Sequence, residues 1–402
     1  MSHLEDGVKR KDIVLLSTAD WDNPFWTNKQ HVASELARRG HRVFYIESLG
    51  LRRPSASAAD LKRILRRLRR AVAAPRAVGG NLWVWSPVVL PFQRYGVVRA
   101  FNRFLLAATL KFHLKRLGLR RDILWTYNPL TTRLVPLAPF GRVVYHCVDE
   151  IKAQPGMPAE VLEPAEHELV EKSDIVFTTA PKLAETRKAW NPNTHDFGNV
   201  ADFDHFAKAR DAATTVPDDL ATIRAPRIGF IGAVSSYKVD FQLIRFVAQS
   251  RPDWSVVLIG KVGEGDPWTD SAALAGLPNL HLLGPRPYGE LPRYLKGLDV
   301  ALLPNTMNDY TESMFPMKFF EYLAAGKPVV SVDLPALRAY HRLVWLAKSP
   351  EEFVKGIEEA LRGAAAPLEE RLALARQHTY TARTERMMAL VDQLDAGSDA
   401  AR

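Results

Sequence analysis

A chain of 402 residues, 47% hydrophobic and 25% charged, has the balance of globular cores and is long for one domain, which argues for two of roughly 150–200 residues. Its single cysteine, Cys147, excludes a disulfide framework and points to a reducing compartment, and no stretch reaches the ~20 apolar residues of a spanning helix. The net charge is +9, yet residues 61–121 carry 15 Lys or Arg and no Asp or Glu, which leaves the remainder at −6 and implies one patch that meets an anionic surface.

The first seven residues are polar and acidic, unlike the apolar core of a secretory signal. Residues 12–17 form an apolar run suited to a buried parallel strand. An aromatic and polar loop, residues 21–27, leads into a helix predicted over 30–39 and ended by Gly40. Residues 42–46 are the next strand, so the crossover is right-handed and the sheet parallel. Residues 60–72 predict an amphipathic helix, with Leu61, Ile64, Leu65, Leu68 and Val72 on one face. Arg63, Arg66, Arg67 and Arg70 lie on the other with Lys62 and Arg69. Such a helix suits the surface of an anionic membrane, and these four arginines are the membrane-contacting candidates.

Residues 77–93 carry two glycines and two prolines and read as turn and strand. Helices are expected over 102–117 and 164–172, and strands over 122–126, 142–147 and 174–178. Residues 204–226 are polar and alanine-rich, without strand periodicity, and mark the boundary between two domains. A second series follows, with strands at 227–232, 255–260, 280–284, 300–304 and 327–331. Helices are expected over 241–250, 291–296, 316–325, 351–362 and 368–394. The fold class is therefore α/β, two doubly wound Rossmann-like domains facing a cleft. Residues 1–205 form one, 206–370 the other, and 371–402 a helix packing back toward the first. Ligands of such sheets bind at the carboxyl ends of strands.

The chemistry concentrates at residues 311–330. A polar loop, with Ser313 and Met314, leads to a helix start whose free amides favour an anion such as diphosphate. Lys318 and Glu321 fall one turn apart on a common face, where a carboxylate can accept two hydrogen bonds from a ribose diol. The motif Pro-x-Lys-x-x-Glu-Tyr-Leu-Ala-x-Gly-Lys-Pro-Val-Val over residues 316–330, with the strand-to-glycine repeats before it, resembles the nucleotide-sugar site of glycosyltransferase family 4, within the GT-B fold.

The resemblance implies roles. Glu321 would hold the ribose hydroxyls, and the loop from Gly232 to Lys238 would run beneath the diphosphate. Lys238 would neutralise phosphate charge as the leaving group departs. Arg286 and Tyr288 would line the base pocket, and residues 199–202 resemble the segment joining the domains. The family has a second glutamate eight positions before the ribose-binding one. Here that position is Ser313, with Glu312 beside it as a catalytic candidate, which leaves the donor sugar and the stereochemical course open.

The acceptor side is expected on the first domain. Trp26 and Gln30 follow the first strand, and His146 and Asp149 end another. Asp149 is the candidate general base, and His146 a second candidate because histidine titrates near neutrality. Each residue also has a structural reading: Glu321 offsetting Lys318 on a surface helix, Asp149 capping a helix, His146 and the tryptophans filling the core. Ala325-Gly-Lys327 is followed by proline, so it is not a phosphate-binding loop of the kinase type.

The implied activity is transfer of a sugar, expected from a UDP-linked donor, to a lipid-linked or polysaccharide acceptor in cell-surface glycan synthesis. The expected place is the cytoplasmic membrane face, peripherally bound. No metal ligands and no cofactor are expected, since the nucleotide-sugar is a co-substrate; nucleic acid is not an expected partner. Two rivals are a nucleotide-sugar epimerase on the same fold and a nucleic-acid binder using the arginine-rich stretch.

Overall fold

Short runs of aliphatic residues with no polar face cannot lie at a surface, and in this chain they become parallel strands covered on both sides by helices. The computed structural model describes residues 10–23, 26–49, 74–87, 96–266 and 268–400. The predicted basic helix at 60–72, and with it Arg63, Arg66, Arg67 and Arg70, lies outside the described residues.

The chain divides into two compact units. The first comprises Met1–Thr178, Leu183–Asp196 and Met387–Arg402; the second comprises Thr179–Lys182 and Phe197–Arg386.

The first unit holds β1 (Asp12–Leu16), β2 (Arg42–Ile46), β3 (Arg76–Gly79), β4 (Leu82–Trp85), β5 (Ile123–Thr126), β6 (Arg142–Cys147), β7 (Ile175–Thr178) and β8 (Thr194–Asp196). They form one sheet in the order β3-β4-β2-β1-β5-β6-β7-β8. All neighbours are parallel except β3, which runs antiparallel to β4. Leu106, Leu110 and Leu114 of helix Gly96–Arg116 pack with Val14, Phe44 and Leu124 beneath the sheet. Lys11 anchors the C-terminal segment by ion pairs to Asp392 at 2.5 Å and Asp395 at 2.6 Å, and Arg142 reaches Asp395 at 3.1 Å.

The second unit holds β9 (Arg227–Ile231), β10 (Ser255–Ile259), β11 (Leu280–Leu282), β12 (Val300–Leu303), β13 (Val329–Val332) and β14 (Trp345–Ala347). The sheet order is β11-β10-β9-β12-β13-β14, parallel throughout. Connections move outward from β9 through β10 to β11, then jump to β12 and move the other way. The crevice between β9 and β12 is therefore the switch point, where a doubly wound sheet opens room for a ligand. Ile244, Val247, Phe353 and Ile357 from two covering helices close the core over Val256, Leu302 and Val330.

Candidate functional site

Helix Lys318–Ala324 is set against the switch point by its own sequence. Phe319, Phe320 and Leu323 are buried, and the Tyr322 hydroxyl accepts the Ile231 amide hydrogen at 3.0 Å, which ties the helix to the end of β9. At its other end Arg210 donates to the Ala324 carbonyl at 3.0 Å and Arg371 to the Gly326 carbonyl at 2.7 Å, cations where the helix dipole is negative. Lys327, just beyond, donates to the carbonyls of Lys296 and Leu298 at 3.0 and 2.6 Å, and burial pushes its ammonium down to about 8. Lys327 is thus a structural tie.

Lys318, the first residue of the helix, lies along the backbone of Gly232. A Cβ on Gly232 would fall on the Cε and Nζ of Lys318, and a Cβ on Gly260 would strike the Gly232 carbonyl. The two glycines let the ammonium come down onto the strand end. There it stands 5.8 Å from the Phe230 ring centroid. Burial pushes the Lys318 ammonium down, opposed by Glu321 and assisted by Lys238. Burial likewise pushes the Glu321 carboxyl up, opposed by Lys318 and assisted by Asp202. Among the described residues, no hydrogen bond or ion pair engages the side chain of Lys318 or of Glu321. A half-buried cation and a half-buried carboxylate, one turn apart and bonded to no protein group, are open to a ligand that offers an anion to one and hydroxyls to the other.

The loop after β9 is held by the loop after β12. Thr306 Oγ1 donates to the Ser236 carbonyl at 3.0 Å, Asn308 Nδ2 to the Tyr237 carbonyl at 2.7 Å, and Asn305 Nδ2 to the Lys238 carbonyl at 3.0 Å. Ser236 also donates to Asp266 at 2.9 Å. These bonds fix Lys238, whose ammonium lies over the rings of Tyr237 and Tyr310 at 5.1 and 5.5 Å. Lys238 is close enough to depress Lys318, so two cations share this corner.

Tyr288 joins the same site: its ring stacks on His205 at 4.2 Å and 11°, and Glu321 and Asp202 both push its hydroxyl up, after burial. Asp202 and His205 come from the start of helix Phe203–Ala207, which Asp202 caps at 3.1 Å. Sequence reasoning finds Tyr288 but neither of these as a donor residue; nothing in their local motif signals a ligand. Tyr380, equally silent in the sequence, lies within electrostatic reach of Glu321.

Other expected donor residues are already engaged. Arg286 bonds the Tyr294 hydroxyl and Asp219, both at 2.5 Å, so it holds a structural network and does not stand as an open wall of a base pocket. The segment expected as a loop before the helix is itself a helical turn, Asp309–Glu312. Asn308 caps it, accepting the amides of Tyr310 and Thr311 at 3.0 Å. That turn takes the Ser313 amide to the Tyr310 carbonyl at 3.2 Å and the Met314 amide to the Thr311 carbonyl at 3.4 Å. The Ser313 and Met314 amides are thus engaged within that turn, and the helix begins at Lys318, later than Pro316. Glu312 turns to Lys182 at 3.0 Å, while Ser313 is buried.

On the first unit, His146 is wholly buried in β6 among Trp125, Tyr127 and Phe177. No acceptor substrate reaches it, and it is a core residue. Gln30 is also buried: its Oε1 accepts the Thr27 amide at 3.1 Å and its Nε2 donates to the Asp20 carbonyl at 3.0 Å. It closes a capping box and does not face a ligand. Trp26 remains half-buried beside Trp21 and His31 at ring distances of 5.1 and 5.3 Å. Asp149 is half-buried at the carboxyl end of β6. Its neighbour Glu150 is committed to Arg187 at 2.6 and 2.9 Å, and Arg187 binds Glu166 as well at 2.9 Å.

Residues 225–363 match the family model described as "Glycosyl transferases group 1". That span is similar to group 1 glycosyl transferases, and the pair of parallel α/β sheets is similar to GT-B structures. The matched span contains Gly232, Lys238, Tyr288, Lys318 and Glu321. Over 231 residues the chain is 30% identical to a putative teichuronic acid biosynthesis glycosyltransferase, TuaH, of Bacillus subtilis strain 168; this covers 54% of the chain and 56% of that protein. The chain thus spans about half the length of that relative. The fold is similar to sucrose-phosphate synthase of Thermosynechococcus elongatus, with a TM-score of 0.68 at 15% identity over 96% of this chain and 100% of that one. It is similar to Anabaena HepE in complex with UDP-glucose, with a TM-score of 0.63 at 14% identity over 95% and 99%.

Proposed function

We propose that the protein transfers a sugar from a UDP-linked donor to a lipid-linked or polysaccharide acceptor in cell-surface glycan synthesis. The observation that carries this reading is the half-buried pair of Lys318 and Glu321, bonded to no protein group, at the switch point of the second sheet. A nucleotide-sugar satisfies both: its diphosphate the cation, its ribose diol the carboxylate. The match of residues 225–363 to group 1 glycosyl transferases supports the chemistry. The complex of HepE with UDP-glucose supports the nucleotide, and the name of the Bacillus relative supports a surface-glycan product.

As the bond from sugar to diphosphate breaks, negative charge gathers on the departing phosphate oxygen. Lys318 and Lys238, fixed beforehand by Gly232 and the loop after β12, meet that charge without rearrangement. Asp149 takes the acceptor proton in this reading. The basic stretch at residues 61–121 supports work at the cytoplasmic face of a membrane.

Calorimetric titration with UDP, GDP and dTDP tests the donor assignment. UDP is expected to bind, and Glu321→Ala to weaken it at least tenfold. Equal affinity of the variant, or binding of none of the three, overturns the reading. Asp149→Asn is expected to lower kcat while donor affinity stays unchanged.

A further inference from the structure

Helix Gly96–Arg116 buries one side and leaves the other in water. Asn102, Leu106, Leu110 and Leu114 recur every four residues and are buried. Val97, Phe101, Phe104 and Phe112 recur at spacings of four, three and eight and are 83, 49, 71 and 61% exposed. Those spacings place them in one stripe along the opposite face. Three exposed phenylalanines in a single stripe are not the scattered apolar residues of an ordinary surface.

The charges beside the stripe are cationic. On the same helix Lys115 falls within it and Lys111 and Arg116 to either side, while Arg99 and Arg103 lie toward the buried side, and no Asp or Glu occurs from residue 61 to 121. Beside Phe104 a groove of about 390 Å³ opens between the helix and residues 135–140, lined by Ala108, Leu110, Val135 and Phe140, with Lys111 and Arg121 among its lining residues. Apolar floor and cationic rim together fit an amphiphile with a negative head. No helix among the described residues is long and apolar enough to cross a membrane; an amphipathic helix with cationic flanks suits the surface of one.

We propose that this face of helix Gly96–Arg116 docks on a bilayer of anionic lipid, with Phe101, Phe104 and Phe112 entering the acyl boundary and the lysines and arginines meeting the head groups. The charge distribution disfavours two other occupants. A second copy paired face to face would set cations against cations. The segment at residues 60–72 of the same chain is equally basic and supplies no neutralising charge. Anionic head groups neutralise both. The proposal stands apart from the donor site: it gives the membrane association a surface, and its failure leaves nucleotide binding untouched.

Vesicle co-sedimentation of the full chain tests it, with phosphatidylcholine alone against phosphatidylcholine carrying roughly a third phosphatidylglycerol. Binding is expected on the anionic vesicles only and to fall as salt rises. Phe101→Gln with Phe104→Gln and Phe112→Gln is expected to cut it at least tenfold, and Lys111→Gln with Lys115→Gln and Arg116→Gln likewise. All six positions are exposed, so both variants should keep the wild-type melting temperature and UDP affinity. Three results overturn the proposal. One is wild type remaining in the supernatant with anionic vesicles. Another is the phenylalanine variant binding as wild type does, which would transfer the role to residues 60–72. The third is a dimer in sedimentation velocity that the phenylalanine variant dissolves, which would make the stripe a contact between copies.

Discussion

Glu321 is a carboxylate held where water would suit it better, and that has two measurable consequences. Burial raises its carboxyl above the ordinary value of 4.5, with Asp202 adding and Lys318 opposing. A carboxyl raised on folding favours the folded state while protonated and costs stability once pH climbs past the unfolded value toward the folded one. Glu321→Gln is therefore expected to melt higher than wild type at neutral pH, by about 2–4 °C for each kcal/mol relieved, while losing UDP affinity. In wild type, affinity should rise with pH above 4.5 as the carboxyl becomes ionised; the Gln variant should show no such rise. A flat wild-type profile with unchanged variant affinity would remove Glu321 from the site. Gly232 offers a complementary test, because a methyl group there displaces Lys318 without removing any charge. Gly232→Ala should weaken UDP binding about as much as Lys318→Met does, and the two changes together should cost little more than either alone. Full additivity in that double-mutant cycle would mean the glycine acts through something other than the lysine.

At the scale of elements, the loop after β6 is fixed by one buried guanidinium. Arg187 is 1% exposed and holds Glu150 and Glu166, while the Tyr145 hydroxyl donates to Glu166 at 2.7 Å. Removing the cation strands two buried carboxylates, which costs about 3–5 kcal/mol. Arg187→Met should lower the denaturant midpoint accordingly, and adding Glu150→Gln with Glu166→Gln should restore most of the loss. A variant as stable as wild type would show that the cluster contributes no net stability. No sequence pattern announces this cluster, because its members lie on three elements joined only by folding. Strands with continuous apolar runs are legible: residues 42–46 and 142–147 coincide with β2 and β6. β8 and β14, of three residues each, are not. Sequence pattern starts helix Ala159–Lys172 at Pro164, since a proline suits a first turn. Pro158, six residues earlier, is the one at the helix start. The same pattern starts helix Gly96–Arg116 at Asn102, because Val97 and Phe101 do not follow the buried stripe, and their exposure is why. At the candidate site, Lys318 and Glu321 are legible from helical spacing. Asp202, far away in sequence, is not.

The molecule as a whole is two compact units, and the proposed donor residues belong to one of them: Gly232, Lys238, Tyr288, Lys318 and Glu321 all fall within Phe197–Arg386. Ligand binding stabilises the state that binds it in proportion to occupancy, and that stabilisation is read locally as protection of backbone amides. Hydrogen exchange with and without saturating UDP is therefore expected to slow exchange in β9, in the loop through Lys238 and in helix Lys318–Ala324. Amides of β1 and β2 in the first unit should be unaffected. The Ile231 amide is the most telling, because its acceptor is the Tyr322 hydroxyl and it opens only if the helix leaves the strand end. At a UDP concentration a hundred times the dissociation constant, the protection gained in this region is bounded by about 2.7 kcal/mol, roughly a hundredfold in exchange rate. Protection confined to the first unit, or absent at β9 while UDP is bound, would place the nucleotide away from Lys318 and Glu321.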